Sequence, residues 1–310
     1  MKPTGVLVPL ITPFGRDGGV AVEALEGLAE RVLDEGASGI VALGTTGEPG
    51  SLTADERRLV VETIGRVCAA RSATLVVGGN DPELVAGAAE AAGARGVAAL
   101  TLVPPFVRPG EAGVLEYFRQ LESPVPVIVY HVPYRTGQQL SAETLRRIAE
   151  LPNVAGIKYA AGGIDDETML FLSGGLPEGF SVLGGDDPFI APMLALGAHG
   201  GILASAHLET RKFVELVEAW RRGDVTTGRR LGLELVRLSK ALFAEPNPTV
   251  IKAVLHARGE IPTPDVRLPL LAAARTSTER AVAASLLAAE EPTVHLTSAL
   301  VEDEVSVSAT

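Results

Sequence analysis

A lysine inside an apolar run is a costly structural residue and a good nucleophile. In "NVAGIKYA" (Asn153 to Ala160), Lys158 follows Val-Ala-Gly-Ile, a setting where a charged ammonium is expensive. The chain holds five lysines, Lys2, Lys158, Lys212, Lys240 and Lys252, against 22 arginines. Positive charge alone is therefore nearly always written as arginine. Arginine keeps its proton, whereas a lysine amine can shed one and attack a ketone carbon, and a desolvated pocket favours that neutral form. A Schiff-base enzyme also needs a proton carrier, and Tyr130 in "VPVIVYHVPYRTG" offers a phenol. Thr45 and Thr46 in "GTTGE" add two hydroxyls, and Arg135 adds a guanidinium. Singly, each has an ordinary use: a lysine stem reaching solvent, a core aromatic, a tight turn, a surface charge. The expectation rests on their joint placement.

That placement depends on the elements around them. Short Val/Ile/Leu runs alternate with helical patterns: "GVLVPL", "SGIVALG", "ATLVVGG", "VAALTLV", "VPVIVYHV", "VAGIKYA", "FSVLGG" and "GGILAS" read as about eight strands. They are apolar on both faces, as parallel strands covered by helices are. Helices are expected over "AVEALEGLAERVLDEGA", "TADERRLVVETIGRVCAA" and "PELVAGAAEAAGA", with start signals at Thr53/Glu56 and Ser141/Thr144. No GxGxxG turn follows the first strand, so the dinucleotide-binding open sheet lacks its fingerprint. Eight β/α units before Trp220 instead predict a (β/α)8 TIM barrel with a C-terminal helical extension. The expected divisions are a barrel over 1–222, helices over 223–290, and an acidic tail over 291–310. In a barrel, Thr45, Tyr130 and Lys158 all fall at the C-terminal ends of strands, where this fold places its chemistry.

Composition narrows the function. The net charge of −11 argues against a nucleic-acid partner or an anionic membrane surface. No apolar run is long enough for a membrane span, and no signal-peptide core precedes "TPFGRDG". The single Cys68 fits a reducing compartment, so a cytoplasmic protein is expected. Five histidines lack metal-ligand spacing, so no metal is expected. A pyridoxal-phosphate barrel would need a phosphate cradle near the last strands. Asp186 and Asp187 in "LGGDDPF" would repel a dianion there, and are read as helix N-terminal caps.

Together, "GTTGE" (Gly44 to Glu48), "YHVPYRTG" (Tyr130 to Gly137) and "GIKYAAG" (Gly156 to Gly162) resemble the dihydrodipicolinate synthase / N-acetylneuraminate lyase family. "TPF", "GGDD" and "FAEPNP" extend the resemblance, in order, over roughly residues 4 to 280. It implies that Lys158 forms an imine with pyruvate or a related 2-keto acid. Tyr130 then relays protons at the imine carbon, Thr45 links to Tyr130, and Thr46 holds the keto acid's carboxylate. Gly185 and Ile202 are implied to line the pocket. Arg135 in "PYRTG" resembles the synthase branch, where that arginine binds the carboxylate of aspartate semialdehyde by a charged fork. No cofactor is implied; the partners are small molecules and other copies of the chain, as a homotetramer or homodimer.

Four departures bear on the substrate. Phe106 stands where the synthases carry a second relay tyrosine contributed across a dimer interface. His131 replaces the usual Asn, Tyr134 a small residue, and Tyr159 a Glu. The expected function is 4-hydroxy-tetrahydrodipicolinate synthase. The alternatives are another pyruvate-dependent aldolase or dehydratase, and a non-catalytic keto-acid-binding protein.

Overall fold

The computed structural model describes residues 2–79, 85–87, 96–104 and 107–289. Phe106, most of "PELVAGAAEAAGA" and the tail over 291–310 lie outside them. Eight strands close a barrel in sequence order: β1 (Gly5–Pro9), β2 (Gly39–Ala42), β3 (Thr74–Gly78), β4 (Val97–Leu102), β5 (Val127–His131), β6 (Val154–Tyr159), β7 (Ser181–Gly184) and β8 (Gly200–Ile202). Every neighbouring pair is parallel, and β8 returns to β1. The fold is a TIM barrel with a helical extension, as the alternation of runs predicts.

Strand parity decides which side chains face the lumen, because successive residues point to opposite faces. Ile128 and Tyr130 join an interior cluster with Leu7, Val41, Val76, Leu183 and Ile202. Val127 and Val129, one position off, pack outward against the helices, as do Ile157 and Tyr159 of β6. Lys158 sits between those two outward residues and faces in. The helices cover the outside through single apolar stripes. In α1 (Val22–Asp34), Leu25, Leu28, Ala29 and Val32 are buried at helical spacing, each large one adding roughly 1.5–3 kcal/mol. Helix α2 (Ala54–Arg71) opens with the expected capping box between Thr53 and Glu56. Further round, α3 (Gly110–Gln120), a single turn α4 (Pro133–Thr136) and α5 (Ala142–Ala149) follow; Ser141 caps α5 through the Thr144 N–H at 3.3 Å. Helices α6 (Asp166–Ser173), α7 (Ile190–Ala195) and α8 (Thr210–Arg221) complete the ring.

Past the barrel come α9 (Val225–Leu242), α10 (Thr249–Ala257) and α11 (Arg275–Ala289). They share one continuous core with the barrel: Leu231, Leu235, Val250 and Val254 belong to the same cluster as Val6 and Ile40. The thiol of Cys68 is buried, and burial pushes it up to about 12. Among the described residues no helix is long and apolar enough to cross a membrane.

Two buried histidines make the fold acid-sensitive. His207 accepts from the Ile11 N–H at Nε2 (3.1 Å), and its Nδ1 lies 2.7 Å from the Ala204 carbonyl. A carbonyl only accepts, so the proton sits on Nδ1 and the ring is neutral. On the outer parity of β5, His131 packs 5.5 Å from the Tyr159 ring, and neither of its nitrogens has a hydrogen-bond partner. Burial pulls both rings down to about 4 from the ordinary 6.5. Their folded pKa values lie below the unfolded one, so stability is lost as pH falls below 6.5 towards 4. The expected loss is about 2 kcal/mol per histidine by pH 5. Asp187 acts with the opposite sign, because burial raises its carboxyl to about 6. His131→Asn isolates one contribution: its urea-measured stability should fall less between pH 7 and pH 5 than that of the unchanged chain. An equal fall in both proteins would remove His131 from the account.

Candidate active site

The turn after β2 is the first wall of the site. Leu43 (φ 55°) and Glu48 (φ 54°) are both left-handed, which is unusual for residues with a Cβ. Between them Thr45–Gly47 forms a tight 3-10 turn. Gly78 at the end of β3 makes room for it: a Cβ there would lie 2.4 Å from the Leu43 carbonyl oxygen. The Thr46 hydroxyl is buried and accepts from Nδ2 of Asn247 at 2.9 Å.

Tyr130 and Lys158 form the floor. They are register partners on β5 and β6, 5% and 6% exposed, with Nζ 4.4 Å from the phenol ring centroid. Gly185, just past β7, is what lets the lysine lie there. A Cβ on Gly185 would stand 2.9 Å from Cγ and Cε of Lys158 and 2.9 Å from Cβ of Ala160. Ile202 at the end of β8 is fully buried and closes the far side.

These groups surround a cavity of about 220 Å³ whose lining contains all seven of the expected site residues: Lys158, Tyr130, Thr45, Thr46, Arg135, Gly185 and Ile202. It is smaller than the 300–1,000 Å³ of drug-sized pockets and fits small metabolites. Thr45 and Tyr130 both line it, yet no hydrogen bond joins their hydroxyls. Arg135 is exposed at the mouth, where its Nε donates to the Tyr134 hydroxyl at 2.9 Å and its guanidinium lies over the Tyr134 ring. Among the described residues the guanidinium makes no other hydrogen bond or ion pair.

Asp186 and Asp187 need a correction. Asp186 opens the Asp187–Phe189 turn, but its side chain makes no cap hydrogen bond. Its Oδ2 accepts from the Gly162 N–H (2.7 Å), and Asp187 Oδ2 accepts from the Ser205 N–H (2.5 Å). Both residues instead line the cavity that holds Lys158. Burial raises both, and Lys158 opposes that rise. Sequence reasoning also gave no site role to Asn247, although it lies in the quoted "FAEPNP", and none to Lys252. The scarcity argument that singles out Lys158 applies equally to the lysine of "TVIKAVL". Among the described residues, no group of three or more His, Cys, Asp or Glu is arranged to hold a metal ion.

Known proteins are similar to this chain in both sequence and architecture. A 4-hydroxy-tetrahydrodipicolinate synthase 2 of Clostridium acetobutylicum is 35% identical over 276 residues, covering 87% of this chain and 95% of the relative. The 4-hydroxy-tetrahydrodipicolinate synthase of Neisseria meningitidis serogroup B is 36% identical over 273 residues, 86% of this chain and 92% of the relative. The crystal structure of the chloride-inhibited dihydrodipicolinate synthase of Acinetobacter baumannii, solved with pyruvate, superposes with a TM-score of 0.83 at 32% identity; 92% of this chain and 98% of that one are covered. The pattern described as the dihydrodipicolinate synthetase family matches residues 2–289. On that span, the chain belongs to the dihydrodipicolinate synthetase family.

Proposed function

We propose that the chain is a Schiff-base lyase that condenses pyruvate with aspartate semialdehyde, a 4-hydroxy-tetrahydrodipicolinate synthase of lysine biosynthesis. The observation that carries this is the Lys158 amine, held over the Tyr130 phenol in a cavity whose mouth bears Arg135. The amine adds to C2 of pyruvate and the oxygen leaves as water, giving an imine. The imine draws electrons from C3, whose proton is lost, and the resulting enamine forms a carbon–carbon bond to the aldehyde carbon. Tyr130 carries protons in these steps. Thr46 holds the keto acid's carboxylate, and Thr45, which lines the cavity with Tyr130 but is not hydrogen-bonded to it, is assigned the orienting of that phenol. Arg135 grips the carboxylate of the second substrate by a charge-assisted fork, while Gly185 and Ile202 shape the floor and wall. Relatives that bear this enzyme's name, and one solved with pyruvate, support the choice of substrates. We extend the reading to a cytoplasmic homodimer or homotetramer.

A second reading keeps the imine and changes the aldehyde or 2-keto acid. It is favoured by the cavity rim, where Tyr134, Phe189 and Phe243 all present exposed aromatic surface. Reduction with borohydride in the presence of pyruvate tests what the two readings share: a stable adduct is expected on Lys158 and on no other lysine. A chain that takes up no pyruvate carbon would instead be a keto-acid-binding protein without imine chemistry. Pyruvate consumption against a panel of aldehydes then separates the readings, with aspartate semialdehyde expected to be the fastest.

A further inference from the structure

Lys252 is the second lysine buried in an apolar run. It lies on α10, outside the barrel, with its side chain fully enclosed. Its Nζ donates to Oε1 of Glu48 (2.6 Å) and to the Asp265 carbonyl (2.7 Å), and sits 4.0 Å from the Phe14 ring centroid. Glu48 is the left-handed residue that ends the Thr45–Gly47 turn, and its other oxygen accepts from the Arg267 N–H at 2.9 Å. The Arg267 side chain continues outward to Glu56, the Ser51 carbonyl and the Gly18 carbonyl. From the same segment as Lys252, Asn247 reaches Thr46. The turn carrying both threonines is thus tied to the C-terminal extension at two points.

A surface turn does not need a buried ion pair. Removing two charges from water is expensive, and an apolar pair of similar volume often serves stability as well. Backbone held in a sparsely populated conformation persists only where its surroundings over-determine it, and such residues cluster at active sites. Leu43 and Glu48 bracket this turn in that state. Burial pulls Lys252 down to about 8, and the facing Glu48 holds it up. The charged and titratable groups gathered around the ammonium are Glu48, Asp265 and Arg267.

We infer that Lys252 and Glu48 are positioning residues for the keto-acid site: their buried pair locks the Thr45–Glu48 turn to the extension so that Thr46 meets the carboxylate of pyruvate. The inference rests on the Schiff-base reading above. It gives the extension a part in catalysis, through the geometry of a turn it does not itself contain.

The test is borohydride trapping of pyruvate across a range of concentrations, with melting measured on the same samples. Lys252→Met combined with Glu48→Gln leaves no unpaired charge, so that variant should melt within a few degrees of the unchanged protein. Its half-saturating pyruvate is expected to rise about tenfold, with maximal trapping reduced less than threefold. A purely structural pair would lower the melting temperature and leave half-saturation where it was; that result overturns the inference. Should the double variant fail to fold, the near-isosteric Glu48→Gln decides alone. A rise of threefold or more in half-saturation supports the inference, and an unchanged value overturns it. Absence of pyruvate capture by the unchanged chain defeats the Schiff-base reading and the inference with it. Capture there, with unaltered half-saturation in folded variants, defeats the inference only.

Discussion

Lys158→Arg is expected to reduce turnover by roughly 10³-fold or more while the chain still folds, a barrier increase of about 4 kcal/mol. The argument turns on what the substitution keeps. A guanidinium retains the positive charge that acts on the half-buried Asp186 and the buried Asp187, so it does not strip that electrostatic support from the two carboxylates. It also retains most of the aliphatic stem packed beside Tyr130 and Gly185. What it loses is the ability to present a neutral nitrogen. The extra bulk in a site only 6% exposed costs about 1–3 kcal/mol, a fraction of the roughly 5–15 kcal/mol that holds a typical protein together. Circular dichroism and melting should therefore report a folded protein, and borohydride with pyruvate should label nothing at position 158. Turnover within tenfold of the unchanged chain would show that no covalent imine at Lys158 is needed.

The residues of the site differ in how far a sequence could reveal them, and the differences have physical causes. Lys158 and Tyr130 were legible because each ends an apolar strand, and strand parity alone then turns both towards the lumen. His131 follows Tyr130 by one position, and the same parity sends it outward into a helix-covered core without a hydrogen-bond partner. The two carboxylates of "GGDD" looked like caps because they precede a helix. Local spacing cannot show that Gly162 and Ser205, each about twenty residues away, supply the N–H groups they use. The Lys252–Glu48 pair joins residues 204 apart in the chain, and no periodic pattern links positions so distant. That Arg135 lines the cavity agrees with its expected place, but "PYRTG" did not show that the neighbouring Tyr134 binds its Nε and lies under its guanidinium. Local order came through from short-range patterning. Contacts set by barrel closure and by docking of the extension did not.

Gly185→Ala is expected to remove about 10²-fold of activity from a protein that still folds, the size of loss that a misplacement of about 1 Å imposes on a reacting group. One methyl group does this because of where it would stand. It would meet Cγ and Cε of Lys158 and Cβ of Ala160, all at 2.9 Å. Ala160 is held by the backbone after β6 and cannot yield far, so the lysine stem must swing off its present line beside Tyr130. The nucleophile stays chemically intact and is wrongly placed. Gly200→Ala is the control, since its methyl would lie 2.0 Å from the Gly5 carbonyl oxygen, within the β8–β1 pairing that closes the barrel. No side chain can move aside there, so that variant should lose stability. Gly185→Ala should instead melt near the unchanged protein and form the pyruvate adduct slowly at every concentration tried. A Gly185→Ala chain that traps pyruvate at the original rate would mean the lysine reaches its reactive position by a path this glycine does not control.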